Sequence, residues 1–187
     1  AALAVLRPCV PISVLASVSA VPPSAIKSFA ADIGRALLLT DDAIQFRDEP
    51  VETWFRQRYR PTPDKQLEFI RRLLPLAAQS PYAAAALPQL MLEAGQLDEL
   101  VTLALSSGGL PVGNPVEKRD IEIQRLQFAL KASLRATNYL AAAKLAFRSA
   151  GETAGDARQR ALLRENTDLA AKFIEPVRIQ ELVSRRT

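Results

Sequence analysis

The sequence predicts a mainly α-helical chain in two parts, a short first unit holding a small β-hairpin and a longer all-helical array. Three observations predict it. Hydrophobic residues make up 49% of the 187 residues and aromatics only 6%, with Ala and Leu dominant, a composition suited to close-packed helices. Between Pro22 and Tyr59 a helix pattern, a two-strand pattern and a second helix pattern follow one another without a gap. After Thr62 only helix-length apolar periodicities and helix-start signals occur.

Ala1 to Leu6 reads as the end of a buried helix, and Pro11 to Ala20 as a second with Ile12, Leu15 and Val18 on one side. Pro22-Pro23 closes it. Ser24 is placed to cap a third helix, Ala25 to Ile33, whose apolar stripe is Ile26, Phe29, Ala30 and Ile33 and whose end is Gly34. Leu37 to Thr40 and Ile44 to Arg47 then flank Asp41-Asp42-Ala43 as a tight hairpin, with Ile44 and Phe46 on one face. A helix from about Pro50 to Arg58 follows and is expected to turn Val51, Trp54 and Phe55 inward. Helices, a Pro turn, another helix and a hairpin make a winged helix-turn-helix over residues 1–60.

Residues 61–187 read as helices throughout. Thr62-Pro63 opens one to about Gln79, Ser80-Pro81 another to Ala94, with Pro88 expected to bend it. Gly95 is the turn before Leu97 to Ser107. Asn114-Pro115-Val116-Glu117 combines a cap, a first-turn Pro and an acid, and launches a helix to about Ala136. Further helices are expected at Tyr139 to Ala150, Asp156 to Phe173 and Pro176 to Arg185.

An internal echo recurs at an offset of 42 residues. Glu93-Ala-Gly-Gln-Leu97 aligns with Arg135-Ala-Thr-Asn-Tyr139, Leu103-Ala104 with Leu145-Ala146, Ser107 with Ser149 and Gly109 with Gly151. Each copy is a helix, a tight turn and a second helix with small residues, which predicts an irregular TPR-like α-helical repeat array.

The chemistry-bearing residues are few. There is no His and one cysteine, Cys9, which excludes disulfide frameworks and His or Cys metal sets within the chain. A reducing, cytoplasmic location is the default expectation. Ser24-Ala25-Ile26-Lys27 matches S-x-x-K, yet its companion motifs are missing and Ser24 stands at a cap position. Asp48, Glu49 and Glu52 fit acids drawn to a helix N-terminus. Gly-Lys never occurs, so the chain holds no P-loop. No catalytic set can be assembled, and the expectation is a non-enzymatic module without a catalytic residue or metal.

The net charge is +4, and the excess sits in residues 158–187 rather than on the winged-helix unit. The helix Ala25 to Ile33, which would enter a DNA groove, offers Lys27 against Asp32, with Arg35 just beyond and two acids at the hairpin tip. Phosphates would be held weakly there. Arg71-Arg72 and Arg185-Arg186 read as solvated helix surface. Ala1 to Ala20 is apolar, but Arg7, Pro8 and Pro11 interrupt it well short of the roughly 20 residues that span a bilayer. No membrane partner is expected. The opening residues read as the interior of a longer protein.

A winged helix that closes with Phe46-Arg47-Asp48 and passes through Glu49-Pro50-Val51-Glu52-Thr53-Trp54-Phe55 into helical repeats resembles the region after the nucleotide-binding domain of STAND regulatory ATPases, the class of NACHT and apoptotic-ATPase proteins. In that class a Met-His-Asp or Phe-Arg-His-Pro signature closes the winged helix, and its histidine helps hold ADP. Here Arg47 takes the His position, a departure that keeps a phosphate-binding fork of donors. The resemblance implies a switch in which an upstream ATPase domain, bound to ATP or ADP, clamps the winged helix. It implies three kinds of partner: that nucleotide-binding domain, an unknown protein ligand on the repeats, and further copies of the protein on activation. The alternative is a winged-helix transcription regulator touching DNA through Lys27 and Arg35, with the helical part as a dimerisation or effector domain.

Overall fold

The computed structural model describes residues 1–187 except 41, 107, 166–171, 173 and 185–187. Asp41 of the expected turn, Ser107 of the echo, Phe173 of an expected helix and the Arg185-Arg186 pair lie outside the described residues.

The chain is mainly helical with one three-stranded antiparallel sheet. Helix α1 (Ala2–Val5) leads to strand β1 (Val10–Pro11), α2 (Ile12–Ser19) and α3 (Pro23–Ile33). Strands β2 (Leu37–Leu39) and β3 (Ala43–Phe46) precede α4 (Glu49–Arg58). The hairpin expected from the sequence forms, with Leu37 opposite Phe46 and Leu39 opposite Ile44. Strand β1 was not foreseen. It pairs Val10 with Ile44 and Pro11 with Ala43, so the sheet order is β1-β3-β2. Two residues are too short for alternation to show, and Pro11 is tolerated because β1 lies at the sheet edge.

Three expectations for this unit are corrected. Ser24 is not the cap of α3: the helix begins at Pro23, with Pro22 as the N-cap residue and no side-chain cap bond. Pro23 fits the first helical position because its φ is preset and it has no N–H to satisfy. Trp54 is not turned inward; it is 58% exposed, and α4 has no fully buried residue. The inner side of α4 is set instead by half-buried Val51 and Phe55, four residues apart. The Phe55 ring meets Phe46 at 5.0 Å and Tyr59 at 4.6 Å. Of the apolar stripe on α3, Ile26 and Ala30 are buried while Phe29 and Ile33 face solvent.

The array comprises α5 (Pro63–Leu73), α6 (Pro81–Glu93), α7 (Leu97–Ser106), α8 (Pro115–Arg135), α9 (Tyr139–Glu165) and α10 (Pro176–Ser184). The cap signals at Ser80 and Asn114 act as read: Ser80 Oγ accepts from Ala83 N at 3.3 Å and Asn114 Oδ1 from Val116 N at 3.0 Å. Helix α5 stops at Leu73 and passes into a 3-10 turn, Leu74–Leu76, short of the expected Gln79. The break expected after Ala150 is absent, for α9 runs on through Gly151 and Gly155 to Glu165. Neither glycine takes a positive φ, so each is merely a weak helix former inside a long helix.

Helices pack in a layered order: α6 contacts α5, α7 and α8, and α7 contacts α6, α8 and α9. The 42-residue echo is reproduced bond for bond at the turns. Gly95 N donates to Leu92 O and Gln96 N to Met91 O; Thr137 N donates to Leu134 O and Asn138 N to Ser133 O. Gly95 has φ +76 and Thr137 φ +55, the left-handed conformation in both copies.

One apolar core runs through the molecule, from Leu3, Leu15, Val18 and Ile44 to Phe69, Leu73, Leu87, Leu90, Leu100, Leu126 and Leu145. Residue 60 does not interrupt it, since α2 packs on α5.

Candidate functional site

Three side chains carry the sequence-based site expectations, and each lies on the surface of residues 1–60. Arg47 ends the hairpin. Its backbone N donates to Ala36 O at 3.1 Å and its Nε to Leu37 O at 3.3 Å, which places it one residue from Arg35 across the strand pair. Its side chain is exposed, and its two Nη groups have no partner among the described residues. A guanidinium anchored through Nε with both Nη groups open is able to take a phosphate or a carboxylate in bidentate fashion.

Lys27 is exposed on α3 and lines a shallow hollow with Pro11, Ile12, Ser13, Pro23 and Asp42. Arg35 sits in the 3-10 turn Gly34–Ala36, about two helical turns further along. Thus Lys27 has an acid from the hairpin tip for a neighbour, whereas Arg47 is bonded to the backbone of Ala36 and Leu37, just after Arg35 in the chain. Glu49 and Glu52 occupy the first turn of α4 as expected, and Glu52 pairs with Arg56 at 2.7 Å. Among the described residues no group of three His, Cys, Asp or Glu comes close enough to hold a metal.

The polar contacts that sequence reading missed are arginines reaching backbone carbonyls. Arg56 donates to Ala4 O at 3.1 Å and Leu6 O at 2.7 Å, fastening α4 to the end of α1. Arg72 donates to Val18 O at 3.0 Å, fastening α5 to α2. Arg7 donates to Ala85 O at 3.4 Å and Gln124 Oε1 at 3.1 Å, and its own carbonyl accepts from Tyr82 OH at 2.6 Å. Burial pushes the Tyr82 hydroxyl pKa up, against the opposing pull of Arg7 and Arg56. No motif announces such contacts, because an Arg that snorkels to a carbonyl looks like any surface Arg.

Arg125 is the extreme case, at 2% exposure. Its guanidinium donates to Leu103 O, Gly108 O and Gly109 O. Arg148 adds bonds to Ala104 O at 3.0 Å and Leu105 O at 3.1 Å and pairs with Glu122 at 2.6 Å. Two cations thus close the negative end of α7 and the loop beyond it. Burial lowers the Arg125 pKa, while Glu122 works in the opposite direction.

Two concavities could receive a partner. A groove of about 800 Å³ between α6 and α8 is lined by Tyr82, Ala85, Asn114, Glu117, Asp120 and Gln124 among others. A smaller, mainly apolar hollow of about 250 Å³ lies on the first unit between Leu3, Leu15, Val21, Ile26, Phe29 and Phe55. No helix among the described residues is by itself long and apolar enough to cross a membrane.

Comparison with protein-family models finds no match, and no curated protein matches either.

Proposed function

We propose that residues 1–60 are a winged helix and the remainder an irregular TPR-like repeat array, together the non-catalytic regulatory and protein-interaction portion of a STAND-type signalling ATPase. The winged helix packs on the nucleotide-binding domain of the parent protein, Arg47 senses the phosphates of its bound ADP or ATP, and the repeats receive a protein ligand. Release of the clamp then permits assembly with further copies.

The observation that carries this reading is the outer face of α3. The helix that a DNA reader would lay in the major groove presents exposed Phe29 and Ile33, four residues apart, beside an apolar hollow. A face of that kind supports packing against protein. DNA contact through Lys27 and Arg35 is less well supported, since Asp42 shares the Lys27 hollow and would repel the backbone. The strand order β1-β3-β2, with β1 arising between the first two helices, supports the winged-helix reading. The layered contacts of α6 to α9 support the repeats. A regulatory part played without bond chemistry agrees with a chain that has no His.

The test is the reading frame upstream of Ala1 together with nucleotide release from the full parent protein. A G-x-x-x-x-G-K-[S/T] segment after a strand, and faster ADP release in Arg47→Ala, are the expected results. A frame with no nucleotide-binding domain would overturn the proposal. In that event, anisotropy with a labelled duplex at low salt, and its loss in Lys27→Glu and Arg35→Glu, would establish the DNA reading instead.

A further inference from the structure

Helix α9 begins with an apolar face that the described structure leaves open. Tyr139 is 72% exposed, Leu140 70% and Phe147 81%, and Ala143 and Ala146 between them face solvent as well. Leu134, at the end of α8, extends the patch at 52%. These are large apolar side chains exposed on this part of the array, and from Tyr139 to Phe147 they cover just over two helical turns, or about 12 Å. Helix α10 packs on α9 without covering them.

The internal repeat says what covers such a face. Forty-two residues earlier, the positions equivalent to Tyr139, Ala143 and Ala146 are Leu97, Val101 and Ala104. Leu97 is half-buried and the other two are buried, on a helix packed against α6, α8 and α9. At these three positions the first copy is therefore covered by further helix, whereas Asp98 and Leu105, the equivalents of Leu140 and Phe147, are exposed there as well. Small exposed residues at 143 and 146 between Leu140 and Phe147 are the side-chain sizes that let a helix ridge approach closely.

Charge narrows the occupant. From Lys131 to Gly151 the chain carries Lys131, Arg135, Lys144 and Arg148 and no acid. Lys131, Arg135 and Lys144 are exposed, Arg135 next in the chain to Leu134 and Lys144 next to Ala143, while Arg148 is engaged with Glu122 and the end of α7. A second copy docked face to face would set this basic rim against itself, which is unfavourable. We infer that the first three turns of α9 bind one amphipathic helix of a partner protein, its apolar ridge flanked by Asp and Glu. The inference rests on the reading of the array as a partner-binding surface and names the face and the chemistry of the ligand.

The probe is a designed helical peptide with Leu at i, i+3, i+4 and i+7 and Glu on both flanks, alongside the same peptide with Lys for Glu. Binding to the full chain is read by anisotropy. The Glu peptide is expected to bind, and Phe147→Glu and Lys144→Glu are each expected to weaken it about tenfold or more, with the melting midpoint unchanged. The Lys peptide is expected to bind at least about tenfold more weakly. Equal binding of both peptides would overturn the inference, as would indifference to Phe147→Glu. If Tyr82→Ala or Gln124→Ala in the α6–α8 groove weakens the Glu peptide while the α9 variants do not, the face is wrong and the array reading stands. No binding at either place removes both. Sedimentation that shows a dimer lost in Phe147→Glu would assign the face to a second copy. Cosedimentation with phosphatidylglycerol vesicles, without peptide binding, would assign it to a membrane.

Discussion

The two copies of the helix–turn–helix unit differ less in backbone than in what surrounds them. In the first, Ala83, Ala84, Leu87, Leu90 and Met91 are buried on α6; their equivalents on α8, Arg125, Leu126, Ala129, Ala132 and Ser133, are all buried too. Across the turn, Leu100 and Ala142 are again both buried. The outer side departs, with Val101 and Ala104 covered and Ala143 and Ala146 open. Inward positions are therefore held by the repeat itself, and outward ones depend on a neighbour. Even the grip on the first unit repeats, since Tyr82 and Gln124, 42 residues apart, both bond to Arg7.

The strongest way to break this comparison is to charge its outer side. Val101→Asp is expected to cost about 3 kcal/mol by burying an unpaired carboxylate. Ala143→Asp is expected to change stability by less than about 0.5 kcal/mol. Urea unfolding of both variants checks the contrast, and equal losses would mean that the two sides are equally covered.

The turns come next. Gly95 holds its left-handed φ without a Cβ, whereas Thr137 holds the same conformation with a β-branched side chain. Thr137→Gly is expected to gain about 1 kcal/mol and Gly95→Val to lose about 1 to 2 kcal/mol. No atom lies within 4 Å of a Cβ built at Gly95, so the loss is backbone strain rather than a clash. If Thr137→Gly is destabilising, the threonine side chain has a role in that turn beyond tolerating it.

The paired grip on Arg7 can be separated by pH. The Tyr82 pKa is raised above its ordinary value of 10.0 by burial, so the folded state holds the phenol proton more tightly than the unfolded chain. The stability this supplies is complete below pH 10 and is lost as pH rises toward the folded value. Tyr82→Phe is expected to flatten the decline above pH 10 and, at pH 7, to cost about 1 kcal/mol for the hydrogen bond to Arg7 O. Thermal midpoints measured from pH 7 to 11.5 test both. The smallest effect is expected at Trp54, whose exposure limits Trp54→Ala to about 0.5 kcal/mol or less; a multi-kcal loss would place the ring in the core.

The parts of this architecture legible in the sequence are those written in local chemistry. Ser80-Pro81 and Asn114-Pro115 spell their helix starts because side-chain oxygens and a preset φ act within three residues. The repeat was visible because Gly95 and Thr137 sit at matched distances from matched helices. What failed was decided at long range. Trp54 and Phe55 are adjacent and both aromatic, and the packing of α4 on α1 together with the Phe46 ring at the end of β3 goes with Phe55 as the one that turns inward. Gly151 and Gly155 look like stops, yet the long helix absorbs them. Arg125 cannot be told from Arg135 until the carbonyls at the end of α7 are found around one of them. Arg47 and Lys27 are legible as surface groups, but the anchoring of Arg47 on Leu37 O and the placing of Asp42 beside Lys27 come from the strand pairing.

The outward Trp54 has a practical consequence. The chain has one tryptophan and one cysteine, and both are exposed on residues 1–60. A thiol-reactive acceptor dye on Cys9 would therefore face a single intrinsic donor, and any protein that settles over this unit would alter the emission of one, the accessibility of the other, or the energy transfer between them. The molecule comes with its own optical ruler for watching that unit engaged and released.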